Sequence, residues 1–180
     1  MKKIFKIVAL LLLLLVAIVL LVAAFVKKNY SVERELTINQ PKQVVFDYTK
    51  FLKNQNKYSV WAKIDPTMKT EFRGTDGTVG FVSAWDSPNK DAGSGEQEIT
   101  GIDEGNKIDY EIRFFKPMKS TDKAFMSFES VNDSVTNVKW GIYGKLKYPM
   151  NISFLFMNMD AMLGKDLEGG LNNLKIIIEK

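Results

Sequence analysis

The C-terminal stretch Met150–Lys180 constrains this chain most. At helical spacing, Leu155, Met159, Met162/Leu163, Leu167, Leu171, Leu174 and Ile177/Ile178 fall on one stripe, while Asn158, Lys165, Glu168, Asn172 and Lys175 fall mostly off it. Recurrence at i, i+3/i+4 marks a helix that buries one face and wets the other. Gly164 interrupts the pattern, and a glycine inside a helix costs roughly 1 kcal/mol relative to alanine. The expectation is a short helix ending near Leu163, a bend, and a long helix over 165–179. Gly169 and Gly170 inside that second piece predict close approach of a neighbouring group or a ligand.

Such a stripe needs a large apolar partner, and the middle of the chain supplies one. From Met68 the period changes to two. Met68/Thr70/Phe72 form the first inward set, followed by Val79/Phe81/Ser83/Trp85, Gln97/Ile99, Ile108/Tyr110/Ile112/Phe114, Ala124/Met126/Phe128 and Val138/Trp140/Ile142. Turn-rich segments (75–77, 86–95, 103–106, 116–122 and 132–134) separate these runs. Evenly spaced strands with hairpin-sized turns imply one antiparallel meander, half buried. Upstream, residues 30–38 read as a further strand with Val32, Leu36 and Ile38 on one face. Pro41 then opens a short amphipathic helix, the polar 54–57 follows, and a second short helix or turn is centred on Trp61.

At the other end, Ile7–Val26 is unbroken apolar sequence, long enough to cross a hydrocarbon core of roughly 30 Å. It reads as a retained anchor, because Ala23-Ala24-Phe25 is a poor cleavage site and no cysteine is present for lipid attachment. The chain thus divides into an N-terminal membrane anchor at 1–28, with residues 4–26 in the bilayer, and one domain at 29–180. Lys2, Lys3 and Lys6 compete with Lys27, Lys28 and Arg34 under the positive-inside rule, and the free amino terminus tips the orientation slightly towards an extracytoplasmic domain. The formal net charge is +4, but Lys2, Lys3, Lys6, Lys27 and Lys28 flank the anchor; without them 20 basic residues face 21 acidic ones. Basicity therefore belongs to the anchor, and a nucleic-acid partner is not expected. The sequence contains no cysteine and no histidine. Disulfides, Cys or His metal sites, thiol nucleophiles and Ser-His-Asp chemistry are excluded, and no metal or cofactor is expected.

The order is strand, two short helices, about six antiparallel strands and a long helix. The fold class expected from it is α+β, a curved antiparallel sheet wrapped around the C-terminal helix. In the stretches VERELTINQPKQVVFDY (32–48), SVWAKIDPTMK (59–69), GTVGFVSAWDSPNK (77–90), TNVKWGIYG (136–144) and NMDAMLGKDLEGGLNNLK (158–175) the chain resembles the START-like (SRPBCC) superfamily with its helix-grip fold. It is most similar to membrane-anchored bacterial members grouped with polyketide cyclase/dehydrase sequences. The resemblance implies an apolar cavity between sheet and long helix, used by relatives for lipids, hormones, polyketides or other hydrophobic molecules. On the inward register, Trp85, Tyr110, Phe114, Phe128, Trp140, Met159 and Leu163 are the expected ligand-binding residues, in a pocket of the roughly 300–1,000 Å³ typical of small-molecule sites.

No catalytic residues are expected. Asp65 and Asp86 read as turn-stabilising side chains. Glu96 and Glu98 share one side of their strand, yet their polar neighbours make it a solvated outer face. The glycines of GTDGTVG and GSG lack phosphate-loop spacing. An acid–base enzyme without histidine needs a carboxylate raised in pKa inside the cavity, and the inward register carries neither Asp nor Glu. It carries no Arg or Lys either, so the expected ligand is hydrophobic with few charges. The favoured reading is a monomeric, membrane-anchored binding module for a hydrophobic small molecule or lipid. The alternatives are a polyketide cyclase/dehydratase-like enzyme and a stress-response or co-chaperone-type interaction domain.

Overall fold

A computed structural model describes residues 1–180. Helix α1 (Lys2–Phe25) precedes β1 (Asn29–Ile38), α2 (Lys42–Lys50), α3 (Leu52–Tyr58) and a 3-10 turn at Trp61–Lys63. Six strands follow: β2 (Lys69–Arg73), β3 (Val82–Asp86), β4 (Ser94–Asp103), β5 (Lys107–Lys116), β6 (Ser120–Asn132) and β7 (Val135–Lys145). A 3-10 segment at Met150–Leu155 leads into α4 (Met159–Ile178).

The seven strands form one antiparallel sheet in the order β1-β7-β6-β5-β4-β3-β2. Only β1 leaves the meander, pairing with β7 from Asn29↔Lys145 to Ile38↔Thr136. The alternation read from sequence survives as burial alternation in β5 and β6, where Ile108, Tyr110 and Ile112, then Ala124, Met126 and Phe128, point into the core. With seven strands paired to their neighbours and α4 across the concave face, this is a helix-grip fold.

Two expectations at the helices are corrected. The C-terminal segment does not bend at Gly164; α4 is continuous from Met159 to Ile178, and the Asn158 side chain caps it by accepting from the Ala161 amide at 3.0 Å. Gly164 is needed for clearance instead, because the Arg34 guanidinium lies where a Cβ would stand. From there Arg34 grips Asp160 through two bonds of 2.9 Å, tying the first turn of α4 to β1. Gly170 likewise lets the Trp140 ring approach, since a Cβ would sit 2.6 Å from it. The second correction concerns the polar stretch before Trp61. It is α3, which buries Leu52, Gln55 and Tyr58 while its lysines face outward.

The stripe on α4 is buried at its centre, at Leu167, Leu171 and Leu174. It is open at its start, where Met162 is exposed, as is Leu155 in the preceding 3-10 segment. Helix α1 is long and apolar enough to cross a membrane, and nearly all of it stands clear of the domain.

Candidate functional site

The concave face of the sheet is divided along its strands. At the end bearing the turns 104–106 and 133–134, α2 fills the space. There Phe46 meets Phe128 edge-on at 5.4 Å between ring centres, and the Thr136 hydroxyl donates to the Gln40 carbonyl at 2.7 Å. Core residues Ile108, Met126 and Val138 complete that half. At the opposite end, where the chain arrives from α1, the packing opens into a cavity of about 240 Å³. This is below the range expected from sequence.

All three tryptophans line this cavity. Trp140 is fully buried on β7, and Tyr58 and Trp61 each approach it edge-on at 5.8 Å. Trp85 meets Phe114 edge-on at 5.9 Å, its indole N–H donating to the Ala92 carbonyl at 3.1 Å. Aliphatic walls come from Ile112, Ala124 and Ile142 on the sheet and Leu163 on α4, and Leu52 closes the α3 side. The exposed residues Thr70 and Asp91 place its rim at the β2 edge and the 87–93 loop.

Of the seven side chains singled out in the sequence, Trp85, Phe114, Trp140 and Leu163 line the cavity. Tyr110, Phe128 and Met159 do not. Tyr110 is core on β5 beside Ala124, with burial raising its pKa and its hydroxyl lacking a partner. Phe128 belongs to the packed half under α2, and Met159 packs against the core at the start of α4.

The polar lining overturns one expectation, because the inward register does carry a carboxylate. Asp122 lies on β6 two residues before Ala124, is only 6% exposed and reaches the cavity wall. The segment 116–122 read as a turn, which hid it, although extending the Ala124/Met126/Phe128 alternation back by one step reaches it. Tyr30, the second residue of β1, donates its hydroxyl to Asp122 at 2.9 Å. Burial raises the Asp122 pKa above its ordinary value, partly opposed by the hydrogen bonds from Tyr30 and the Lys145 amide. Burial and the neighbouring carboxylate also raise the Tyr30 pKa.

A second polar group sits across the cavity. The Gln97 amide donates to the Gln55 carbonyl oxygen at 3.1 Å, joining β4 to α3, with Ser59, Asn56 and Ser83 nearby in the wall. The alternation with Ile99 had placed Gln97 inward. Gln55 was not legible because its helix read as a polar connector.

The other acidic candidates lie off the cavity wall. Asp65 accepts from the Thr67 amide at 2.8 Å and hydroxyl at 2.7 Å, and from the Ser87 hydroxyl, which together lower its pKa. Asp86 pairs with Lys116 at 3.2 Å. On the convex face Arg113 contacts Glu98, Glu96 and Glu111 at 2.6–2.7 Å, and Arg73 reaches Glu96 at 2.5 Å. Glu96 and Glu98 are therefore held as ion-pair partners on the outer face.

Fold and cavity together define the chain as a helix-grip protein. It shares the fold with Ara h 8.0201, at TM-score 0.56 and 16% identity over 83% of this chain and 97% of that one. A protein from Chromobacterium violaceum matches at TM-score 0.59 and 10% identity, over 83% of this chain and 97% of its own. Another from Thermobifida fusca matches at 0.55 and 16%, over 82% and 92%. At these identities the likeness is one of fold. No family model matches the chain, and no curated protein matches it in sequence.

Proposed function

We propose that this protein is a membrane-anchored binding module whose cavity takes a small hydrophobic molecule or lipid-derived ligand with one hydrogen-bond donor at its polar end. The carrying observation is a cavity whose walls are aromatic and aliphatic but whose inner polar group is the Tyr30–Asp122 pair. A carboxylate has about four acceptor positions. Tyr30 and the Lys145 amide use two of them, and a ligand hydroxyl or ammonium suits the remainder. No Lys or Arg lines the wall to pair with an anion. The division into an anchor at 1–28 and a domain at 29–180, and the START-like character of that domain, belong to the same reading. Retention of α1 is supported by Asn151, fully buried, whose amide donates to the Ala23 and Val26 carbonyls at 2.7 and 2.9 Å. Cleavage of α1 as a signal sequence would remove the Ala23 partner and uncover the buried amide.

The test uses the full chain in lipid nanodiscs, read by fluorescence of Trp61, Trp85 and Trp140. Decanol and decylamine are expected to bind saturably, and decanoate about tenfold more weakly, a difference of about 1.4 kcal/mol. Replacing Asp122 by Asn should narrow that gap. A flat response to all three probes would contradict the reading.

Asp122 also supports a second reading, a proton-transferring enzyme of the cyclase/dehydratase kind with Asp122 as acid or base and Tyr30 holding it. A buried carboxylate with a raised pKa is what such chemistry needs without histidine. That reading predicts that Asp122→Asn retains ligand binding and loses turnover; a substrate converted equally by both proteins would rule it out.

A further inference from the structure

The strand register places every loop at one of two ends of the sheet. Pairs Asn29↔Lys145, Phe114↔Ser120 and Asp86↔Ser94 define the end next to α1. Pairs Ile38↔Thr136, Asp103↔Lys107 and Arg73↔Val82 define the far end. The connecting segments at the two ends differ in charge. Near α1, segments 26–28, 64–68, 87–93, 117–119 and 146–149 carry Lys27, Lys28, Lys90, Lys119 and Lys147 against Asp65 and Asp91. At the far end, the loops 39–41, 74–81, 104–106 and 133–134 carry Asp76, Glu104 and Asp133 and no basic residue of their own, while from α2 Lys50 pairs with Glu104 at 2.6 Å and Lys42 donates to Asn106 at 2.8 Å.

The near end also presents apolar side chains to the outside. Phe115 and Met118 are exposed beside one lysine-bearing loop, and Tyr148, Met150, Phe156 and Met157 are exposed around the 3-10 segment, with Phe156 at 85%. This segment is fixed against α1. Besides the two Asn151 bonds, the Tyr148 hydroxyl donates to the Leu20 carbonyl at 3.2 Å. Leu20 precedes Val26 by six residues, about 9 Å of helix rise. Tyr148 therefore stands level with the last two turns of α1. Aromatic rings at that depth beside lysines are the pattern of a membrane–water interface.

We infer that the end of the sheet next to α1 is a docking face for an anionic lipid surface, holding the rim of the cavity against the bilayer. The inference rests on the reading of α1 as a retained membrane span. Apolar groups around 118 and 156 enter the interface while the lysines meet lipid phosphates, an attraction that acts within a Debye length of the surface. The opposite end, where acidic loops meet the lysines of α2 and no comparable excess of basic charge stands, is turned to water. Asp91 and Thr70 at the rim, and Trp85, Phe114, Asp122 and Tyr30 behind it, all lie towards the docked end. A ligand then passes between bilayer and cavity without crossing bulk water.

The chain lacks cysteine, so single labels are straightforward. Met118→Cys, Phe156→Cys and, at the far end, Val131→Cys would carry an environment-sensitive fluorophore in full-length protein reconstituted into phosphatidylcholine vesicles with or without phosphatidylglycerol. With phosphatidylglycerol present, the labels at 118 and 156 are expected to shift to the blue and be quenched by lipid-borne nitroxide, and the label at 131 to do neither. Combining Lys90→Glu, Lys119→Glu and Lys147→Glu should abolish the quenching at 118. Three equally unquenched labels, in chains that stay with carbonate-washed vesicles, would overturn the inference while leaving the anchor intact. Quenching at 118 unaffected by the charge reversals or by lipid charge would overturn the choice of an anionic surface. Chains that wash off would overturn the anchor and the inference together.

Discussion

Asp122 is the residue on which the chemistry of the cavity turns. Its carboxyl is nearly inaccessible, and burial outweighs the bonds from Tyr30 and Lys145 in setting the direction of its pKa. A carboxyl with a raised pKa in the folded state binds protons there that the unfolded chain has released. Its contribution to stability is fully present below the unfolded pKa of about 3.9 and is lost as pH rises through the folded value. Asn is a neutral isostere without that dependence. Denaturant unfolding at pH 4 and pH 7.5 should therefore show Asp122→Asn gaining on the wild type as pH rises; the opposite trend would mean that the hydrogen bonds win over burial. Tyr30→Phe removes a donor from the buried carboxylate and should cost about 1–3 kcal/mol at neutral pH. Gly170→Ala tests the packing on the other side of the cavity. Its Cβ must displace the Trp140 ring, so a loss of about 1–3 kcal/mol with altered tryptophan emission is expected.

At the scale of elements, α4 closes the cavity because its central leucines are buried and its first turn is fixed to β1 through Arg34 and Asp160. Leu167→Ala or Leu171→Ala should cost about 2–5 kcal/mol, the range for emptying a core leucine site, measured by reversible unfolding. Losses below about half a kcal/mol at both, the range of ordinary surface substitutions, would mean that the stripe is not a packing face. Most of this architecture was legible in the sequence, because burial on one face imposes a period that residues such as Ile108, Tyr110 and Ile112 display directly. The features that the sequence does not display depend on partners remote in the chain. Gly164 reads as a helix break until Arg34, from β1, is seen to occupy the space beside it. Helix α3 buries Leu52, Gln55 and Tyr58 among polar residues, too sparse a pattern to stand out. For the cavity, period two identified the sheet-side aromatic residues facing inward. Whether an inward ring packs or lines a void depends on what lies across from it. Phe128 meets Phe46 of α2 and is packed, whereas Trp85 and Phe114 lie beyond the reach of α2 and line the cavity.

In the molecule as a whole, the cavity and the lysine-bearing loops lie at the end of the sheet next to α1, the helix proposed as the anchor. The full chain should stay with membranes through high salt and alkaline carbonate, since burial of α1 is hydrophobic and not ionic. Release at the size of the processed domain would contradict a retained anchor. The central claim, that the cavity holds a hydrophobic ligand, is tested most directly by extracting the full-length protein in native nanodiscs and identifying the small molecules it retains by mass spectrometry. The comparison is with Ala124→Phe, which places a ring in the cavity wall. The account predicts one hydrophobic molecule, bearing a hydroxyl or amine, retained by the wild type above its level in the surrounding lipid and lost from Ala124→Phe. No molecule enriched in the wild type, or the same set retained by both, would contradict it.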